Sequence, residues 1–350
     1  MSSESDTSSD EEMIRIINML PRPKIYRKRL HPFAGYDDVD FKARFRFSKE
    51  TVLHLMETFN LDDILSYGTN RNHPVSPINQ FLLALRFFAT GSYQLTLGDH
   101  LNLHKSTVSR TVSRVTTILA SRAAEFIQLP RTEEEIRITN ASFYQLANFP
   151  RVLGAIDCTH VKMISPGGDN AELYRNRKGW FSINVQAVCD ASLKITNIVA
   201  RWPGSVHDSR IFNTSLLRAK LEAGEYGNAW LIGDSGYACK SYLLTPLLNP
   251  VSPADKRYNR AHVLTRNTIE RTFGILKKRF ACLHIGLRVK PEKAVDIIVA
   301  ITVLHNIAIQ LKDDLELLPD VPEENINNNI EIVNAGNVHE RTVLINTHFT

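Results

Sequence analysis

VLGAIDCTHVKMI, residues 152–164, decides how this chain reads. It is a short apolar run with one acid, Asp157, near its middle, and such a run predicts a buried strand. A carboxylate there is costly to bury unless it is paired or bound to a metal; the plain alternative is an Asx-turn at a strand end. Downstream, SINVQAVC (182–189) alternates Ile183, Val185, Ala187 and Cys189, and KITNIVARW (194–202) follows the turn residues Asp190 to Ser192. These two runs predict a hairpin. AWLIGDSGY (229–237) is a fourth apolar run that ends in a Gly-rich turn. A helix is expected from about Thr265 to Phe280 and another from Ala294 to Leu311. The pattern is an α/β fold, a sheet with helices on its faces.

Upstream, residues 40–147 read as all-helical, with apolar residues at spacings of three and four. Within them, LTLGDHLNLHKSTVSRTVSRVTTIL (95–119) has the form of a helix-turn-helix. A short helix carries Leu97 and Leu101, a turn falls near Asn102 to His104, and a longer helix places Val108, Val112, Val115 and Leu119 on one face. The opposite face holds Ser106, Arg110, Ser113 and Thr117, flanked by Thr107 and Arg114. Short hydroxyl residues with arginines suit a helix entering a major groove. An ordinary amphipathic helix with a Ser/Thr-rich exposed side has the same pattern.

The formal charge of +5 over 350 residues hides a segregation. Residues 1–12 hold five acids and no base, and residues 313–340 hold eight acids and no base. Without those thirteen, 24 acids face 42 bases, so the remaining body stands near +18. A body so basic expects a polyanion, and nucleic acid is the common one. RPKIYRKRLHP, with Arg22, Lys24, Arg27, Lys28 and Arg29, reads as an import signal or a phosphate-binding arm. Four cysteines without a CxxC spacing indicate neither a zinc ribbon nor a redox pair. The apolar stretch 294–311 is interrupted by Asp296, His305, Asn306 and Gln310, so a buried core helix is expected there and no membrane span. The expected organisation is a disordered acidic lead and basic arm (1–39), a helical region (40–147), a nuclease domain (148–312) and an acidic flexible tail (313–350).

Four acids carry the chemistry. Asp157 sits in its buried run, and Asp234 follows a strand and precedes small residues that let a ligand approach. Asp208, in WPGSVHDSRIF (202–212), suits a metal ligand, a residue that orients one, or the N-cap of a helix starting near Ser209. Glu270, in NTIERTFGILKKRF (267–280), lies about 100° around its helix from Ile269, beside a buried stripe of Ile269, Phe273, Leu276 and Phe280. Its i+4 neighbour is Gly274, so no salt bridge on that side explains it. Three or four carboxylates that converge hold divalent ions for phosphodiester hydrolysis, and hard oxygen donors select Mg2+ or Mn2+. Lys277, Lys278 and Arg279 make a basic strip suited to a phosphate backbone. Arg175, Arg177 and Lys178 are further candidate nucleic-acid contacts, with Ser106, Arg110 and Arg114.

GAIDCTH, YRNRKGWFSINVQAVCD, WPGSVHD, LIGDSGY and NTIERTFGILKKRF, taken in order, resemble the transposases of the PIF/Harbinger superfamily, and most of all the domesticated Harbinger transposase-derived nucleases. The resemblance runs from about Phe47 to the LHN at 304–306. It implies an RNase H-like DDE catalytic domain with Asp157, Asp234 and Glu270 as the catalytic acids and Asp208 as an additional metal-binding acid. It further implies nuclease activity on DNA without transposition, a Myb/SANT-like DNA-binding partner protein, and residence in nucleus and cytoplasm. Cys158 departs from the glycine of many active transposases. Three functions follow as alternatives: a metal-dependent nuclease, a catalytically silent DNA- or chromatin-complex-binding protein, and a phosphomonoesterase. The basic body is larger than a small phosphate needs.

Overall fold

The computed structural model describes residues 31–68, 74–313 and 339–350, together with Met13. The basic arm Arg22 to Arg29 and the acidic stretch 314–338 lie outside the described residues. The helical region comprises α1 (Pro32–Gly35), α2 (Asp38–Phe45), α3 (Lys49–Thr58), α4 (Leu61–Leu65), α5 (Pro77–Thr90), α6 (Gln94–Leu101), α7 (Lys105–Ser121), α8 (Ala123–Phe126) and α9 (Glu133–Ala147). Local chemistry sets several of these boundaries. The Ser48 hydroxyl accepts from the Thr51 amide to cap α3, and Thr132 and Glu135 close a capping box on α9.

The sheet follows as β1 (Val152–Lys162), β2 (Ser182–Cys189) and β3 (Ile195–Pro203). Next come α10 (Asp208–Asn213), α11 (Leu216–Glu222), β4 (Trp230–Ile232) and β5 (Leu243–Leu244). The chain continues with α12 (Pro253–Arg279), α13 (Cys282–Ile285), α14 (Pro291–Gln310) and, after the stretch outside the described residues, α15 (His339–His348). The strand order is β3-β2-β1-β4-β5, with β2 antiparallel to both β1 and β3, and β4 and β5 added in parallel beside β1. This mixed sheet flanked by helices is the expected α/β fold, and all four expected strands are present.

Two elements differ from expectation. The helix predicted from about Thr265 begins twelve residues earlier, because Ser252, Pro253 and Asp255 supply an N-cap, a first-turn proline and a reciprocal capping box. Residues 339–349 do not continue a flexible tail. Leu344, Ile345 and Phe349 are buried with Phe143, Phe149, Trp230 and Tyr258, and the Arg341 guanidinium reaches the Thr245 carbonyl. The apolar positions in TVLINTHFT are enough to dock this helix once an aromatic surface is offered.

The helical region and the sheet share a core. Phe41, Leu55, Phe81, Phe88 and Val115 belong to one continuous cluster with Val161, Ile183, Val185 and the buried face of α14. Arg279 lies inside this region, 1 % exposed, between the carbonyls of Arg46 and Asp313.

Candidate active site

Strand register and a turn bring two of the four acids together. Ala155 of β1 pairs with Ile232 of the parallel strand β4, and Asp157 and Asp234 each lie two residues further on. β4 ends at Ile232, so Asp234 stands in the turn just beyond the paired register, and its charge bears on Asp157. Asp157 is not at a strand end, since β1 continues to Lys162. Its Oδ1 accepts from the Cys158 amide at 2.7 Å. Asp234 Oδ1 accepts from the Gly236 amide at 3.0 Å, so this acid both forms a turn and faces the cleft. A side chain at 236 would approach the carboxylate to 3.1 Å.

Asp208 occupies the first turn of α10, with His207 at the cap position. It does not cap the helix. Its Oδ1 instead accepts from Asn184 Nδ2 at 2.7 Å, and the same amide donates to the Val206 carbonyl at 2.8 Å. Asn184 is buried on β2 opposite His160 of β1, so its amide ties the loop bearing Asp208 to the middle of the sheet. The sequence reading missed Asn184; a polar residue at a buried strand position was the available signal.

Glu270 comes from α12, which packs through Ile269, Phe273 and Leu276. Sequence reasoning looked four residues ahead of Glu270 and found Gly274; the partner lies four residues behind. Arg266 Nη2 meets Glu270 Oε1 at 2.6 Å, and Arg266 Nη1 lies 3.4 Å from Asp157 Oδ2. The Arg266 and Asp157 side chains are each 18 % exposed and that of Glu270 is 43 % exposed.

Charge crowding is the chief electrostatic property of the cleft. Burial, then the nearby charge of Asp234, pushes the Asp157 carboxyl up to about 8, while Arg266 and the Cys158 amide pull against them. Burial also raises Asp234, opposed by the Gly236 amide and by Arg266. Buried carboxylates that repel one another and offer only oxygen donors suit a hard divalent cation. Asp157, Asp208, Asp234 and Glu270 are the residues that would hold one. Among the described residues, no three His, Cys, Asp or Glu side chains are grouped about a single ion position.

The candidate nucleic-acid residues divide. Arg279 is removed by burial: its guanidinium serves two backbone carbonyls and Asp313. Arg114 holds the Ile64 and Leu65 carbonyls and lies over the Tyr67 ring, which closes the end of α4. Arg175 pairs with Glu172, donates to the Gly179 carbonyl and covers Phe181. Arg177 bonds His207, next to Asp208. Lys277, Lys178 and Arg177 all bear on His160, whose imidazole is kept below its usual range by burial first. These three bases therefore lie near His160. α6 and α7 do form a helix-turn-helix, and it is tight: a Cβ on Gly98 would stand 2.4 Å from the Leu103 carbonyl oxygen. Ser106 bonds the His104 ring at the open end of α7, where Arg110 is exposed. Further along, Lys293 of α14 reaches Ser113 and Thr117, so α14 borders part of the face expected to be open.

The mixed sheet flanked by helices agrees with a class, the DDE superfamily endonucleases, and the model of that family matches residues 156–306. "Putative nuclease HARBI1" of Homo sapiens is 36% identical over 316 residues, covering 88% of this chain and 90% of its own length. The Xenopus laevis protein of that name is 34% identical over 328 residues, covering 88% and 93%. "Protein ALP1-like" of Arabidopsis thaliana is 25% identical over 306 residues, covering 82% and 74%. The chain belongs to the Harbinger transposase-derived family within the DDE superfamily. No solved structure matches it.

Proposed function

We propose that this protein is a divalent-metal-dependent nuclease that hydrolyses phosphodiester bonds of DNA and no longer transposes. The observation that supports this most is the placement of Asp157 on β1 and Asp234 in the turn just past the parallel strand β4, near enough for the charge of Asp234 to raise Asp157, with Glu270 entering from α12 and Asp208 held by Asn184. Two bound Mg2+ or Mn2+ ions would supply a deprotonated water and neutralise charge on the leaving oxygen. The chain's own residues do the rest. Asp157 on β1 and Asp234, fixed in its turn by the Gly236 amide, present carboxylate donors before substrate arrives. Asn184 fixes the rotamer of Asp208. Arg177, Lys178 and Lys277 place positive charge around His160, where a phosphate backbone would run.

The measurement is Mg2+- or Mn2+-dependent cutting of DNA by the purified protein, set against Asp157→Asn. Cutting that is lost in the variant supports the reading, and equal cutting by both sinks it. A second reading, a catalytically silent protein that binds DNA or a chromatin complex, has one observation in its favour: Arg266 already neutralises Asp157 and Glu270. Partnership with a Myb/SANT-like DNA-binding protein belongs to either reading.

A further inference from the structure

Arg266 stands where the acids converge. One guanidinium reaches both Asp157 on the central strand, 109 residues away in sequence, and Glu270 one turn along its own helix. Asp234 feels the same charge. Arginine keeps its proton under all ordinary conditions, and its planar fork can serve two carboxylates at once. The contact with Glu270 is a tight ion pair, whereas that with Asp157 is loose at 3.4 Å. Glu270 is turned along its own helix toward Arg266, and among the described residues no three acids are grouped about one ion position.

We infer that Arg266 is a built-in counter-ion of the acidic cleft, one that occupies the cation position, holds Asp157 and Glu270 in the metal-free protein, and must release Glu270 before a divalent ion is bound. The inference rests on the metal-site reading proposed above. A carboxylate oxygen held at 2.6 Å by a guanidinium cannot also be a ligand of a compact ion without the two cations approaching closely, and like charges at such range repel strongly in a partly buried cleft. Arg266 and Glu270 lie on adjacent turns of α12, so a change of side-chain rotamer parts them with no movement of the backbone. Arg266 is therefore a positioning residue. It makes the folded metal-free cleft tolerable and makes metal entry conditional on an exchange of cations.

The test is titration of full-length protein with MnCl2 by calorimetry, with thermal melting in the presence and absence of Mn2+, for the wild type and Arg266→Gln. The expected result is a variant that binds Mn2+ more tightly, by about tenfold, melts lower without metal, and gains more on adding it. A merely structural role for Arg266 would loosen metal binding. Equal or weaker Mn2+ affinity in Arg266→Gln overturns the inference and leaves the metal site standing. Absence of Mn2+ binding in both proteins overturns the metal-site reading and this inference with it. Should the glutamine variant fail to fold, Arg266→Lys carries the same comparison, since an ammonium on a shorter reach cannot fork between the two carboxylates.

Discussion

Arg279 and Asp313 meet inside the protein, each with a side chain 1 % exposed and with Nη1 3.7 Å from Oδ1. Asp313 also receives Lys42 Nζ at 2.8 Å and the Ser48 amide at 3.0 Å. Asp313, three residues beyond α14, therefore clasps α2, the start of α3 and the end of α12. Asp313→Ala would leave the buried Arg279 and the half-buried Lys42 without their carboxylate, and the expected loss is about 3 kcal/mol. A urea unfolding midpoint unchanged by the substitution would contradict this account.

Gly274 offers the opposite case. It lies in the exposed interior of α12, one turn beyond Glu270, and a Cβ there meets nothing within 4 Å. Gly274→Ala should stabilise the protein by about 1 kcal/mol, the difference in helix propensity, read as a higher unfolding midpoint. Gly274→Trp should also fold, yet lower DNA cutting at least about tenfold by standing where substrate must reach Glu270. Full cutting by the tryptophan variant would show that this face is not used.

Two buried histidines set the acid limit of the fold. Burial lowers both His262 and His305 to about 4, although His262 is near the Leu244 carbonyl and His305 near that of Leu193. The unfolded chain takes up their protons near pH 6.5 and the folded one only near 4. Between those values the unfolded state binds more protons, so stability falls as pH falls. Each histidine contributes up to about 3 kcal/mol of that loss. Melting temperature followed from pH 7 to pH 4.5 should drop, and His305→Gln should flatten the drop; an unchanged slope would refute the assignment.

Arg177 and Lys178 lie in the loop between β1 and β2 that borders His160 and the Asp208 loop. If both meet phosphates, replacing the pair with alanine should weaken DNA binding uniformly across sequences and reduce the slope of log affinity against log salt by about two. Arg110→Ala offers the parallel measurement at the helix-turn-helix. A slope that neither change alters would place the DNA elsewhere on the basic surface.

Much of the site was legible because strand patterning is local. The run around Asp157, the alternation at 183–189 and the turn after Ile232 each declare an element without reference to the rest of the chain. What stayed hidden depends on distant partners. Arg279 looks like its neighbours Lys277 and Lys278 until Asp313 and the Arg46 carbonyl enclose it. Arg266 gave no sign of facing Asp157, because helix phase relates it to Glu270 alone. Asp208 reads equally well as a cap, and only Asn184, 24 residues earlier, shows that its carboxylate is turned toward the sheet. The docked helix at 339–348 was obscured by the acidic stretch before it.

The parallel return of β4 also orders events during folding. β2 and β3 join through the short turn 190–194 and can pair early, whereas β4 must come back across the loops and helices that follow β3 before it lies beside β1. Contacts that close long loops form late. The mutual repulsion of Asp157 and Asp234 is thereby deferred until most of the sheet already exists to absorb it, so the feature that equips the cleft for cations does not burden the nucleus from which the domain grows.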